Sequence, residues 1–272
     1  MIRQYGVKVV PVNIYFEGKV YRDGVDITSS EAYELLRKAP DHFSTSPPSP
    51  GEYLQFYQEV SRFAKEILCI TLSSKVSTLY NMARVAKKMA EKELPGTTVE
   101  VVDSLTVTGA EALIVLAAAR AAAEGKNLQE IIDLVEKARE RTFCVGIFET
   151  IRHAYRTGRI PKIASQVGSL LSVKPLITIP DGTVHMAGFT RAKRRGMERM
   201  LEIMKEKAGK NPIRVFVLHA DALEEAERFK EQILSEFNCI EVWINYFSPV
   251  MGYATGPGTL LIGYQLEPAY LL

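Results

Sequence analysis

The sequence predicts an α/β protein of two domains: a three-layer α/β/α domain with a mostly parallel sheet over residues 1–143, and an α+β domain over residues 144–272. Strand-like and helix-like segments alternate through the first half, which is typical of a parallel sheet covered on both faces. After residue 143, strand pairs joined by short turns mix with helices. The chain has 272 residues, 47% of them hydrophobic, enough for two cores.

In the first half, three helix starts carry a capping box, in which a polar N-cap residue is followed three positions later by glutamate. These boxes pair Thr28 with Glu31, Ser49 with Glu52 and Asn127 with Glu130. Apolar, β-rich runs predict strands over residues 7–16, 20–21, 67–72 and 99–102. Helical spacing predicts further helices through residues 80–86 and 110–123.

In the second half, apolar runs predict strands over residues 144–148, 174–179, 184–188, 213–218, 240–246 and 259–264. Pro180, Asp181 and Gly182 form a turn signal between two of these strands. A short helix is expected from residue 151, and a helical region with Pro161 and Gly168 follows it. Longer helices are expected around residues 197–204 and over residues 221–237.

Composition excludes several classes of protein. The net charge of +2 gives no global field that attracts nucleic acid or an anionic membrane. The longest apolar stretches, such as residues 112–119, fall short of the ~20 residues that a membrane span needs. The first residues have no apolar core like that of a signal peptide. We therefore expect a cytoplasmic protein without stable membrane insertion and without a nucleic-acid partner.

Two hydroxyl-rich stretches, residues 43–50 and 71–78, lie where strands should lead into helices. Hydroxyl groups and free N–H groups at a helix start favour a negative ligand. Neither stretch has the glycine and lysine pattern of a nucleotide loop, so we expect a small anionic headgroup such as a carboxylate. The candidate ligands are Thr45, Ser46, Ser73, Ser74, Ser77 and Thr78. Turn geometry and helix capping alone are the alternative explanation for these hydroxyl groups.

Other polar residues carry weaker signals. Arg191 begins a basic run that is either a solvated helix face or, through Arg191 itself, a cation for the anion. His153 and His219 have no serine or cysteine partner in a nucleophile pattern, so no catalytic residue is predicted. No cluster has metal-ligand spacing, and no metal or cofactor is expected. Residues 255–259 form a glycine turn suited to close backbone approach.

Eight short segments occur in a fixed order along the chain: YGVKVVPV at 5–12, YRDGVDI at 21–27, TSPPSPGE at 45–52, ITLSSKVS at 70–77, VDS at 102–104, GRI at 158–160, KPL at 174–176 and TGPG at 255–258. In this order they resemble the DegV family of bacterial fatty-acid-binding proteins over essentially the whole length. The resemblance implies two α/β domains with a fatty acid between or within them.

The resemblance also implies roles for individual residues. Thr45 and Ser77 occupy the positions that hold the carboxylate of the fatty acid, and Arg191 lies in the stretch that supplies an arginine near this headgroup. The implied ligand is a long-chain, palmitate-like acid, which relatives present to a separate fatty acid kinase. Such a carrier is not itself an enzyme. The alternative is an enzyme that acts on a small carboxylated or phosphorylated metabolite at the same anion site.

Three departures from the family pattern affect these expectations. Family members usually begin with a strand and an Asp-Ser-Thr turn, and this chain starts after them, so we expect either that an edge or central strand is missing or that the start codon is misassigned. Thr78 stands where the family has a glycine that lets the backbone approach the carboxylate. Ala254 stands where the family has a histidine near the headgroup that is linked to phosphoryl transfer.

Overall fold

The structure is a computed structural model of the chain and describes residues 2–159 and 173–267. The predicted α/β fold is confirmed, with three sheets in the described part of the chain. The helical region predicted around Pro161 and Gly168 lies outside the described residues. Within the described ranges, no helix has the length and apolar character needed to cross a membrane.

The first sheet is an antiparallel meander of three short strands. Its strands are β1 (Asn13–Phe16), β2 (Lys19–Arg22) and β3 (Phe43–Ser46), in the order β2-β1-β3. Glu17 and Gly18, both with positive φ, make the tight turn between β1 and β2. The strand predicted over residues 7–16 is therefore wrong in its first part, since pairing begins only at Asn13. Between β2 and β3 lie α2 (Ser29–Lys38) and a 3-10 turn (Pro40–His42).

The second sheet has two parallel strands, β4 (Glu66–Thr71) and β5 (Thr98–Asp103), with Thr71 opposite Asp103. Helices α3 (Pro50–Ser61) and α4 (Leu79–Glu93) cover one face. Helices α5 (Thr108–Ala123) and α6 (Leu128–Glu140) cover the other. The three layers agree with the prediction, but the parallel part is smaller than expected because β1 pairs in the antiparallel meander instead.

The third sheet has six strands, in the order β10-β9-β11-β6-β7-β8. They are β6 (Thr142–Ile147), β7 (Lys174–Thr178), β8 (His185–Thr190), β9 (Ile213–His219), β10 (Cys239–Tyr246) and β11 (Leu260–Leu266). Strands β9 and β10 are parallel, and the other neighbouring strands are antiparallel. Helices α8 (Lys193–Ala208) and α9 (Leu223–Glu236) cover one face. This is the α+β arrangement predicted for the second half.

Helix α5 also packs on the second face of the six-stranded sheet. A Cβ atom at Gly263 of β11 would lie 2.2 Å from the backbone nitrogen of Ala110, so glycine permits this close approach. The core at this face combines Tyr33 and Leu113 from the first half with Phe247 from the second. The division of the chain at residue 143 stays a prediction, since this core draws on both sides of it.

Two short helices complete the described elements near this core: α7 (Arg152–Arg156) and α10 (Pro249–Thr255); a third, α1 (Ile2–Tyr5), begins the chain. Helix α10 packs against α2, where a Cβ atom at Gly252 would lie 1.8 Å from the Tyr33 ring. All three predicted capping boxes are present with both of their hydrogen bonds. Each N-cap is worth about 1 kcal/mol, and together they fix where α2, α3 and α6 begin.

Candidate functional site

A cavity of about 590 Å³ lies between the first and second halves of the chain. The first half supplies five hydroxyl-bearing residues to its lining: Thr45, Ser46, Ser74, Ser77 and Thr78. The second half supplies a group of large apolar side chains: Phe148, Ile177, Ile179, Met251 and Leu261. Hydroxyl donors combined with an apolar wall are typical of a site for a molecule with a small polar group and a hydrocarbon part.

Thr45 reaches the cavity because of the register of β3. Its strand neighbour two positions earlier, Phe43, is buried in the core, and side chains two apart lie on the same face of a strand. Thr45 pairs with the fully buried Ile14 of β1, and this register fixes the position of Thr45 along the strand. Ser46 also lines the cavity, and its hydroxyl donates to the Tyr15 hydroxyl at 3.2 Å.

Ser77 and Thr78 stand at the start of α4, a helix of 15 residues. The Ser77 hydroxyl accepts a long hydrogen bond, 3.4 Å, from the backbone N–H of Leu79, which leaves its own proton for another acceptor. Thr78 is the N-cap residue and makes no capping hydrogen bond to the residues described. The positive end of the α4 dipole therefore faces this part of the cavity.

Ser73 and Ser74 lie in the same loop and have different surroundings. Ser73 is fully buried and donates its hydroxyl proton to the carbonyl of Gly182 at 2.7 Å, so this side chain joins the two halves of the chain. It is not among the described residues that line the cavity. Ser74 does line the cavity, and its backbone N–H donates to the Asp103 carboxylate.

The structure does not bring Arg191 to the cavity. Arg191 is exposed just before α8 and is not among the described lining residues, which favours the solvated-face explanation of the basic run. Lys75 and Arg159 do line the cavity. Lys75 forms an ion pair with Asp181 at 3.3 Å, and Arg159 donates to the backbone carbonyl of Thr157.

Sequence reasoning missed Arg159 as a candidate ligand. The signal was the Gly158-Arg159 pair: Gly158 has φ of +69°, so the chain turns sharply there and places the next side chain at the cavity. A single arginine after a glycine is less conspicuous in a sequence than the four basic residues over positions 191–195 that include Arg191.

The turn at residues 255–259 allows the close approach that its glycines predict. A Cβ atom at Gly256 would lie 2.4 Å from His153, and one at Gly258 would lie 2.4 Å from Glu149. Ala254 and Thr255, on α10 beside this turn, line the cavity. Ala254, at the position where the resemblance implies a histidine, thus lies at the cavity.

Neither His153 nor His219 is among the described residues that line the cavity. Burial, with a further contribution from Arg156 and Arg152, lowers the pKa of His153. Burial also lowers the pKa of His219. Both rings therefore favour the neutral state. The described residues contain no group of three or more His, Cys, Asp or Glu side chains that could hold a metal ion.

Comparison with known proteins gives one consistent result. Residues 1–267 match the family model described as an uncharacterised protein of the DegV family. A DegV domain-containing protein of Halalkalibacterium halodurans is 30% identical over 267 residues, which are 97% of this chain and 93% of the relative.

Solved structures agree with this match. One, of a DegV family protein from Thermus thermophilus described for its fatty acid binding, has a TM-score of 0.89 at 28% identity and covers 98% of this chain and 94% of that chain. Another, of DegV, a fatty acid binding protein from Bacillus subtilis, has a TM-score of 0.86 at 25% identity, with the same two coverages of 98% and 94%.

Proposed function

This chain belongs to the DegV family, and on that premise we propose that its cavity binds one long-chain fatty acid. The observation that carries the proposal is the composition of the cavity wall. Hydroxyl groups from two separate elements, β3 and the start of α4, meet a wall of buried apolar side chains at a volume of about 590 Å³. This volume lies within the roughly 300–1,000 Å³ that is usual for small-molecule sites.

The carboxylate of the ligand is assigned to Thr45 and Ser77. Both hydroxyl groups can donate a proton, and the first N–H groups of α4 add a favourable partial positive charge. Ser46, Ser74 and Thr78 line the same cavity and are the candidate additional contacts.

Two residues from the sequence prediction receive less support. The Ser73 hydroxyl is already used by Gly182, and Arg191 is exposed away from the lining residues. We propose Arg159 in place of Arg191 as the cation from the second half of the chain, since it lines the cavity and, among the residues described, donates to a neutral carbonyl oxygen. An arginine gains more from a carboxylate than from a carbonyl group.

The hydrocarbon tail supplies most of the affinity. Burying each methylene group stabilises the complex by about 0.8 kcal/mol before ordering costs. The polar contacts then set the direction in which the acid enters. A palmitate-like chain is the ligand that we propose, with the tail against Phe148, Ile177 and Met251.

The protein acts as a carrier and not as an enzyme in this proposal. The sequence has no nucleotide-binding glycine-lysine loop. Presentation of the bound carboxylate to a separate fatty acid kinase is the finer part of the proposal, and it rests on the family motifs. The alternative enzyme predicts a polar cleft with a histidine, and neither His153 nor His219 is among the lining residues described.

The test begins with what the purified chain carries. The protein is expressed, extracted with organic solvent, and the extract is analysed by mass spectrometry for fatty acids. Uptake of added palmitate is then measured by isothermal titration. A co-purified acid or palmitate uptake supports the carrier, whereas an empty extract without uptake contradicts it. A small polar metabolite in the extract would instead support the enzyme.

The headgroup assignment is tested with the double variant Thr45→Ala, Ser77→Ala. It should bind palmitate at least ~10-fold more weakly, because two hydrogen bonds to a charged group are lost, while its unfolding temperature without ligand stays close to that of the wild type. Ser235→Ala is the matched control, since this exposed hydroxyl bonds within α9. Affinity of the double variant equal to that of the control would remove Thr45 and Ser77 as ligands.

A further inference from the structure

The loop that carries Ser77 is held by hydrogen bonds to residues far away in the sequence. Its first residue, Ser73, donates its backbone N–H to the carbonyl of Thr106 at 2.8 Å. The N–H of Ser77 returns to the carbonyl of Ser73 at 3.2 Å and closes one helical turn. The position of Ser77 therefore depends on how firmly residues 73 and 74 are held.

The Asp103 carboxylate holds the next residue of this loop. Both of its oxygens lie 3.2 Å from the backbone nitrogen of Ser74, and one of them lies 2.9 Å from the backbone nitrogen of Leu105. Asp103 is the last residue of β5 and lies opposite Thr71, the last residue of β4. One side chain thus joins the ends of both parallel strands to the loop between β4 and α4.

From these contacts we propose that Asp103 is a positioning residue for the carboxylate site, acting through Ser74 and the turn that ends at Ser77. The inference rests on the proposed function, because it assigns Ser77 to the ligand. A carboxylate suits this task since it accepts several N–H groups at once, and hydrogen bonds to an ionised acceptor are stronger than those to a neutral one. Replacing it would free the loop without removing any group that touches the ligand.

A negative charge so close to an anion site needs compensation. The N–H groups of Ser74 and Leu105 point at the Asp103 carboxylate, and Arg139 donates to the Asp103 backbone carbonyl at 3.1 Å. Glu111, whose carboxyl group interacts with that of Asp103, has its pKa raised to about 8 by burial and by Asp103, so it is largely neutral at pH 7. The negative charge of Asp103 is therefore compensated by the N–H groups that it accepts, and Glu111 adds little further negative charge.

The experiment compares two probes with the same tail, palmitate and hexadecan-1-ol, which differ in the carboxylate alone. Affinities of the full chain for both are measured for the wild type, Asp103→Ala and Asp103→Asn. We expect the wild type to prefer palmitate, Asp103→Ala to lose most of this preference, about tenfold, and Asp103→Asn to fall between them because one acceptor oxygen remains. A purely structural role would weaken both probes equally.

Two further variants sharpen the result. Glu130→Ala removes another carboxylate that accepts a backbone N–H, at the start of α6 and outside the lining residues described, and it should leave the preference unchanged. The double variant Ser77→Ala, Asp103→Ala should prefer palmitate over hexadecan-1-ol about as much as Ser77→Ala alone does, since the hydroxyl group that Asp103 positions is already absent. Equal preference in Asp103→Ala, Asp103→Asn and the wild type would overturn the inference.

The two proposals fail in different ways. A wild type that binds palmitate and hexadecan-1-ol equally overturns the carboxylate site and, with it, the role of Asp103. The other outcome is a wild type that prefers palmitate, with Asp103→Ala and Ser77→Ala lowering this preference by amounts that add in the double variant. That result leaves the fatty acid site intact and overturns the positioning role of Asp103 alone. If Asp103→Ala does not fold, Asp103→Asn, which keeps the shape of the side chain, carries the same comparison.

Discussion

Replacing Glu111 with glutamine tests the electrostatics beneath the Ser77 loop. Glu111 lies in the first turn of α5. Burial, and then the negative charge of Asp103, raise its pKa from 4.5 to about 8. One pKa unit corresponds to about 1.4 kcal/mol. A rise of this size therefore lowers the free energy of unfolding by roughly 4–5 kcal/mol when Glu111 is ionised, compared with the protein in which Glu111 is protonated. This is an upper bound, since water entry and side-chain movement reduce the cost.

The sign follows from proton binding. The folded state holds the Glu111 proton more tightly than the unfolded state, so the free energy of unfolding of the wild type falls as the pH rises from about 4.5 to about 8. Glutamine is neutral at every pH and lacks this loss. We expect the wild type and Glu111→Gln to have similar stability near pH 4.5, and the variant to be more stable by a few kcal/mol above pH 8.

The assay is urea unfolding followed by circular dichroism at pH steps from 3.5 to 9, extrapolated to water. Glu31→Gln is the control, with the opposite dependence of stability on pH. Hydrogen bonds from the Thr28 side chain and backbone lower the pKa of Glu31, so the contribution of Glu31 to the free energy of unfolding is lost as the pH falls. The reasoning is refuted if the difference in the free energy of unfolding between Glu111→Gln and the wild type is the same at every pH. It is also refuted if the variant becomes less stable than the wild type as the pH rises.

Two other changes test the contact between the halves and the choice of cation. Gly182→Ala should lower the temperature of thermal unfolding by more than Gly24→Ala does. Both glycines have positive φ, a backbone conformation that costs alanine ~1–2 kcal/mol. At Gly182 the added Cβ atom would also lie 2.5 Å from the Ser73 hydroxyl oxygen, whereas at Gly24 it would meet no atom within 4 Å. Equal losses would contradict this contact. Arg159→Ala should weaken palmitate binding up to ~10-fold and Arg191→Ala should leave it unchanged, as measured by titration calorimetry; the reverse order would restore Arg191 as the cation.

Local signals in the sequence predicted much of the fold. The three capping boxes marked helix starts correctly because both partners of a box lie within four residues. The turn at Pro180, Asp181 and Gly182 was also placed correctly, since turn residues act through their own backbone angles. The strand predicted over residues 7–16 was too long because β-rich composition does not say which residues find a pairing partner.

Long-range contacts could not be predicted in the same way. Ser73 and Ser77 look equivalent in the sequence, and only the carbonyl of Gly182, 109 residues away, uses the first and leaves the second at the cavity. β3 was not recognised as a strand because its pairing with β1 joins residues about 30 positions apart. Arg191 was proposed from its place in a basic run and from the family resemblance, and Arg159 was not considered, because whether an arginine lines the cavity depends on how the two halves pack.

The shared core described above has a consequence for the empty protein. The cavity is lined by Phe148, Ile177 and Leu261, which also belong to the core that joins the two halves. A hydrocarbon tail in this position would serve as an interchangeable part of that core, and its removal would leave a void of the kind that high pressure eliminates by unfolding. Under the proposed function, loss of the ligand would therefore lower the stability of the core that joins the two halves. Under the same proposal, a partner that removes the ligand would have to stabilise a form in which this core is opened.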